Sequence, residues 1–166
     1  MNNIRTALQG QQGDRRLRLG IAGGEWKKMM ADATARTRFA SEVKKIIEQY
    51  DFDGVDFDFE WPTNASEYNN YSATVIQMRS TLGKYVYFTA SLHPVSFKIS
   101  PEAIDALDFI SYQCYGPAVM RFPYEQFVKD GEAAVAYGIP KNKLVMGVPF
   151  YGSTGSLIAA YCDFVN

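Results

Sequence analysis

The stretch Asp51-Phe52-Asp53-Gly54-Val55-Asp56-Phe57-Asp58-Phe59-Glu60-Trp61-Pro62 decides the reading of this chain. From Val55 to Glu60 apolar and acidic residues alternate strictly. Successive side chains of a strand point to opposite faces, so Val55, Phe57 and Phe59 share one face and Asp56, Asp58 and Glu60 the other. Pro62 cannot continue a ladder and closes the strand. Carboxylates at i and i+2 stand about 6.6 Å apart at Cα, close enough to share a proton. Like charges at this spacing hold one another's protons, so at least one carboxyl is expected to stay protonated near neutral pH. A protonated Glu60 at the C-terminal end, beside a proton-sharing Asp56–Asp58 pair, is a general-acid arrangement. Asp53 has the opposite parity, precedes Gly54, and is expected to hold a turn.

Three other readings compete for these residues. A solvated acidic edge is the usual fate of a charge run, but it fits poorly with the apolar backing of Val55, Phe57 and Phe59. A calcium loop would need its glycine elsewhere and fewer apolar residues between the acids. Asp56-Phe57-Asp58 also matches the metal-holding Asp-x-Asp of nucleotide-sugar transferases, a weak signal when it stands alone.

Outward from this strand, apolar runs alternate with amphipathic segments. Residues 34–50 carry Phe39, Val43, Ile46, Ile47 and Tyr50 at three- and four-residue spacing and read as a helix leading into the acidic strand. A helix over 66–82 follows, with Gly83 as its C-cap. Ser100-Pro101-Glu102 is a helix start, with Ser as N-cap and Pro at the first helical position. A last helix covers 124–137. Further strands are expected at 16–22, ending on Gly23 and Gly24, and at 85–92, 107–115 and 143–148. Strands separated by helices predict repeated βαβ units and a parallel sheet.

Composition narrows the function classes. The 17 Lys and Arg against 18 Asp and Glu leave a net charge of −1, with no basic stripe to neutralise nucleic-acid phosphates. No run approaches the roughly 20 apolar residues of a membrane span, and the start does not resemble a secretory h-region. Cys114 and Cys162 are too few and too separated for a disulfide framework or a zinc cluster. His93, the only histidine, has no metal-ligating neighbour in sequence and reads as a loop residue. No metal or other cofactor is expected.

The acidic strand, taken as Asp53-x-x-Asp56-x-Asp58-x-Glu60, resembles the signature of glycoside hydrolase family 18, the chitinases and related endo-N-acetylglucosaminidases. The similarity extends along residues 4–152. Ala22-Gly23-Gly24 followed by Trp26 is similar to the family's Ser-x-Gly-Gly strand end, with Ile21 where Ser is usual. Asp108 to Gly116 resembles the strand carrying Met-x-Tyr-Asp: Tyr115 matches the Tyr, Gln113 replaces Met, and Gly116 replaces the Asp. Lys143 to Gly152 resembles the seventh strand and the turn after it.

The resemblance implies an α/β fold, a partial TIM (β/α)8 barrel of about five parallel strands with intervening helices and a site at their C-terminal ends. It implies a retaining reaction in which the substrate's own N-acetyl oxygen attacks the anomeric carbon. Glu60 would protonate the leaving glycosidic oxygen and then activate water. Asp58 would hold the acetamide N–H, Asp56 would share its proton, and Tyr115 would donate to the acetamide oxygen. Trp26, Trp61, Gln113 and Tyr151 would contact the sugar, while Asp53, Gly54, Gly23 and Gly24 would be structural. Cys114, of opposite parity to Gln113 and Tyr115, is expected from the alternation alone to be a buried filler. The implied partner is chitin or another N-acetylglucosamine-containing oligosaccharide. A non-catalytic glycan-binding relative and an inactive fragment remain the alternatives.

Matched to the family, residues 1–166 are expected to be a single catalytic-barrel domain truncated at both ends. They span barrel strands three to seven, where a full barrel has eight strands and about 250 residues. Met1 then reads as an internal start, and the full-length parent is expected to be secreted. An open sheet of this kind leaves two edges and predicts self-association.

Overall fold

The computed structural model describes residues 2–9, 15–116, 124–154 and 157–160. In chain order the elements are α1 (Asn2–Gln9), β1 (Arg18–Ala22), α2 (Trp26–Ala31), α3 (Ala33–Tyr50), β2 (Gly54–Asp58), α4 (Ala65–Leu82) and β3 (Tyr87–Leu92). There follow α5 (Pro101–Ala106), β4 (Phe109–Gln113), α6 (Tyr124–Tyr137), a 3-10 turn (Lys141–Lys143), β5 (Leu144–Gly147), and β6 (Tyr151–Thr154) with β7 (Leu157–Ala160). Strands β1 to β5 form one sheet in sequence order, every pair parallel, and β6 and β7 form a separate antiparallel hairpin. This is the expected run of βαβ units, a segment of a (β/α)8 barrel. Cys162 lies outside the described residues.

Local chemistry sets the helix ends. The Asp32 side chain accepts from Ala35 N at the start of α3, and Asn64 does the same for Glu67 N at the start of α4. The Glu67 carboxylate reaches back to Thr63 N at 2.8 Å, a reciprocal cap in which each side chain satisfies an otherwise unpaired backbone donor. Ser100 accepts from Ala103 N with Pro101 in the first helical turn, as the sequence predicts.

The alternation in β2 decides which side of the sheet is core. Val55 and Phe57 are fully buried and Phe59 is nearly so, whereas Asp56 and Asp58 are half-buried and Glu60 is exposed. Phe57 meets Phe59 at 4.7 Å and Tyr71 of α4 at 5.3 Å, both edge-on, and Phe39 of α3 closes the same cluster. Each buried aromatic of this kind stabilises by about 1.5–3 kcal/mol, so the apolar face anchors the strand that carries the acids.

The N-terminal end of β2 is fixed by Asp53. Its carboxylate accepts from Leu17 N at 2.6 Å and pairs with Arg5 at 3.3 Å. Its backbone N–H donates to Leu17 O, and its carbonyl accepts from Tyr87 N. Gly54 follows because a Cβ there would lie 2.0 Å from Tyr87 O. Only a bare Cα lets β2 and β3 approach this closely.

Some elements differ from expectation. Strands are shorter by one to several residues than the runs that predict them. Helix α2 has too few residues to show periodicity, yet it buries Trp26 and Met30 one turn apart. His93 lies in the loop between β3 and α5, as read, but the loop is packed inward there. The residue is 1% exposed and bridges to Ser96. No described helix is long and apolar enough to cross a membrane. At the β5 end of the sheet, Val145, Val148 and Phe150 are exposed. Beside them a groove of about 540 Å³ is lined by Phe127, Val135, Leu144 and Met146 among others.

Candidate active site

The acids collect at the C-terminal ends of the strands. Asp56 is deepest and is surrounded by donors. Arg18 of β1 reaches its Oδ1 at 3.3 Å, the Thr89 hydroxyl of β3 donates to the same oxygen, and Ser91 donates to Oδ2 at 2.9 Å. The Arg18 guanidinium also touches the Thr89 hydroxyl and lies 5.0 Å over the Phe109 ring of β4, so one side chain spans the concave face from β1 to β4. Both oxygens of Asp56 thus accept hydrogen bonds from neighbouring strands.

Asp58 sits one step nearer the rim and accepts from Gln113 Nε2 at 3.3 Å. Burial, reinforced by the charges of Glu60 and Asp56, raises its pKa above the usual carboxyl range. The raised proton affinity falls on the middle member of the trio, where burial and two like charges act together. Glu60 is exposed and stands just past the strand, its peptide bond to Trp61 cis. Ala22, Gly23, Gly24, Asp58 and Glu60 line a cleft of about 350 Å³. Gly23 and Gly24 put no side chain over it, and Gly23 turns the chain with φ +140°.

Tyr115 follows β4 on the same rim. Its phenol pKa is raised by burial, then by Tyr151 and by the negative charges of Asp58 and Glu60, so it remains an O–H donor. The Tyr151 ring stands edge-on to it at 6.3 Å. Asp56, Asp58, Glu60, Gln113, Tyr115 and Tyr151 are therefore brought together. Trp61 is half-buried beside Glu60, its ring 4.8 Å from that of His93.

Trp26 does not join the rim. It is 3% exposed and packs on Phe59 and Tyr71, with its indole N–H donating to Glu60 O at 3.2 Å. Its place is the core beneath the acid, not a surface for stacking sugar. Ile21 is also turned away: it pairs in register with Phe57 and packs on the core, whereas Gly20 lies opposite Asp56. Asp56 takes its β1 partner from Arg18 instead.

Sequence reasoning passed over Arg18, Thr89 and Ser91, and read His93 as a loop residue without a role. The first three carried a readable signal. Arg18 occupies an alternate position in an otherwise apolar strand, and Thr89 and Ser91 alternate with Phe88, Ala90 and Leu92. Polar residues at period two on a strand of a parallel sheet face an interior that must satisfy them. Among the described residues no group of three or more His, Cys, Asp or Glu could hold a metal ion.

Parallel βα units with carboxylates gathered on the C-terminal rim define the (β/α)-barrel class, whose sites are built there. The chain belongs to the glycosyl hydrolases family 18, whose sequence profile matches residues 3–161. It is 26% identical to a protein described as probable chitinase 2 of Drosophila melanogaster, over 90% of this chain and 37% of that protein. It is 28% identical to an endochitinase of Manduca sexta, over 84% of this chain and 32% of that one. The chain thus spans less than half the length of either relative. Its fold matches a GH18 chitinase of Flavobacterium johnsoniae with a TM-score of 0.83 at 23% identity, covering 99% of this chain and 60% of the other. The chitinase domain of a Clostridium difficile spore coat protein matches with a TM-score of 0.77 at 22% identity, over 98% of this chain and 57% of that one.

Proposed function

We propose that this chain carries the acid half of a retaining, substrate-assisted glycosidase that cleaves β-1,4-linked N-acetylglucosamine polymers, chitin or chito-oligosaccharides. The observation that carries the reading is the graded environment of one strand face. Asp56 is held by an arginine and two hydroxyls, Asp58 binds its proton more tightly than a free carboxyl, and Glu60 stands free in the cleft. Glu60 is the member of the trio that can reach both a leaving oxygen and a water.

In the proposed reaction Glu60 gives its proton to the glycosidic oxygen while the acetamide oxygen of the sugar attacks C1. The C1–O bond breaks and an oxazolinium ion forms. Asp58 accepts from the acetamide N–H and stabilises the positive charge. The Tyr115 O–H holds the acetamide oxygen in line, a role its retained proton suits. Water then attacks C1 from the vacated face, Glu60 takes its proton, and the configuration is retained. Trp61 and Tyr151 are proposed to flank the sugar, and Gln113 to hold Asp58. Residues 1–166 act in this reading as one domain, and an insoluble polymer is met outside the cell.

The test is release of fluorophore from a chitobioside or chitotrioside by the purified chain and its Glu60→Gln variant. Release that falls at least about a thousandfold in the variant supports the hydrolase, since acid catalysis and water activation are lost together. Binding of chito-oligosaccharide without release points to a glycan-binding relative, and neither binding nor release to an inactive segment.

A further inference from the structure

We propose that the loop after β3, through His93 and Ser96, is a clasp that positions Tyr115 against Glu60. The inference rests on the glycosidase reading of the rim. The loop contributes no group to the reacting atoms, yet it grips the segments that follow both β2 and β4.

His93 is the centre of the clasp. Its Nε2 lies 2.9 Å from the carbonyl oxygen of Tyr115 and 2.7 Å from that of Gly116. Carbonyls only accept, so Nε2 carries the hydrogen. Its Nδ1 accepts from Val95 N at 3.2 Å, so that nitrogen carries none. The ring is thereby fixed as one neutral tautomer, with both nitrogens bonded to backbone. One face of the same ring lies against Trp61, the residue after Glu60, at 4.8 Å between centroids.

Ser96 supplies the second grip. Its hydroxyl donates to Pro62 O at 2.7 Å and accepts from Tyr68 of α4 at 3.0 Å, while its N–H donates to His93 O at 2.7 Å. His93 and Ser96 are 1% and 2% exposed, so each of these bonds is shielded from water. The Trp61–Pro62 segment is held from the ring face and from the Ser96 hydroxyl. The Tyr115–Gly116 segment is held through its carbonyls. Gly116 has φ +34° and no side chain with which to fix its own loop, which leaves this anchoring to a neighbour.

Proximity explains why a clasp matters. A misplacement of about 1 Å at a reacting group can lower a rate about a hundredfold, even when the cause lies outside the reacting atoms. His93 is accordingly a positioning residue, and two variants separate its functions. His93→Phe keeps a ring against Trp61 but removes the donor. His93→Gln keeps a terminal N–H but removes the ring.

The experiment measures kcat and KM on a fluorogenic chitotrioside, together with 15N–1H spectra of the full chain. The expected result is a tenfold to hundredfold loss of kcat in His93→Phe with KM within about threefold, and partial recovery of kcat in His93→Gln. If both variants keep kcat within about twofold of wild type, or if KM alone rises, the clasp is overturned. Should either variant fail to fold, Ser96→Ala removes the grip on Pro62, and a kcat unchanged within twofold is equally fatal. If the unaltered chain releases no fluorophore, the glycosidase reading fails by itself, and the clasp is decided by the spectra. With one histidine in the sequence, its tautomer is read without ambiguity. An Nε2–H form, with the Trp61 indole and Gly116 amide signals moving together in the variants, supports the clasp. An Nδ1–H form, or a Gly116 signal that does not move, refutes it.

Discussion

Replacing Arg18 by Met removes the cation that spans the concave face while keeping much of its apolar stem. The loss has three parts in the structure: the pair with Asp56 at 3.3 Å, the contact with the Thr89 hydroxyl, and the stack over Phe109 at 5.0 Å. A fully buried pair broken on one side costs about 3–5 kcal/mol, and an exposed one about 0–1 kcal/mol. The side chains of Arg18 and Asp56 are 30% and 20% exposed, between those limits but nearer the buried one. Thr89 and Ser91 still serve Asp56 after the change, which lowers the expected loss to about 2 kcal/mol. For a chain of this size that is a fall in Tm of about 4–8 °C. Arg18→Lys restores the charge but not the planar stack and is expected to recover about half. The assay is urea unfolding of Arg18→Met, Asp56→Asn and the double variant. A coupling of about 1 kcal/mol or more between the two sites is expected. An Arg18→Met variant within about 0.3 kcal/mol of wild type, additive with Asp56→Asn, would refute the reasoning.

Three other expectations follow from the same strand and its sheet. Asp58 holds its proton more tightly folded than unfolded, so the stability linked to it is complete below its ordinary carboxyl value of 3.8 and is lost as pH rises through the raised value. Asp58→Asn, always neutral, should gain on wild type toward neutral pH and lose that advantage in acid, as denaturant midpoints across pH will report. Gly54→Ala places a methyl 2.0 Å from Tyr87 O, a backbone atom that cannot step aside. It should destabilise by more than the usual 1–3 kcal/mol of overpacking, and an unchanged thermal midpoint would contradict the close approach. At the β5 end, where Val145 is 49% exposed, Val145→Lys should lower the apparent mass seen by light scattering if the open edge drives self-association.

The fold was legible because its decisive signals are local. The alternation of β2, the cap at Ser100 and the Gly83 stop need only neighbours in sequence, and each lies where it was read. The acid trio was legible for the same reason, since period two alone gathers Asp56, Asp58 and Glu60 on one face. Arg18 reaches Asp56 across 38 residues and Thr89 across 71, and His93 reaches Tyr115 across 22, separations that periodicity does not report. Trp26 misled because it follows two rim glycines. A short helix turns it inward one turn before Met30, and a six-residue helix is too brief to show which way it faces. The residue of β1 that meets Asp56 is likewise set by register: a shift of one residue exchanges the two faces of a strand, and only the pairing with β2 places Gly20 opposite Asp56 and turns Ile21 to the core.

Asp53 and Glu60 belong to one acidic signature but answer to different physical demands. Asp53 ties the start of β2 to Leu17, Arg5 and Tyr87, so its loss is felt by every descendant that still has to fold. Glu60 stands in the cleft with its side chain outside the core, so a lineage can exchange it and keep the barrel. Loss of the first acid is therefore expected to cost stability, and loss of the last to leave it nearly unchanged. Two carboxylates of one motif thus divide between holding the strand in place and facing the cleft.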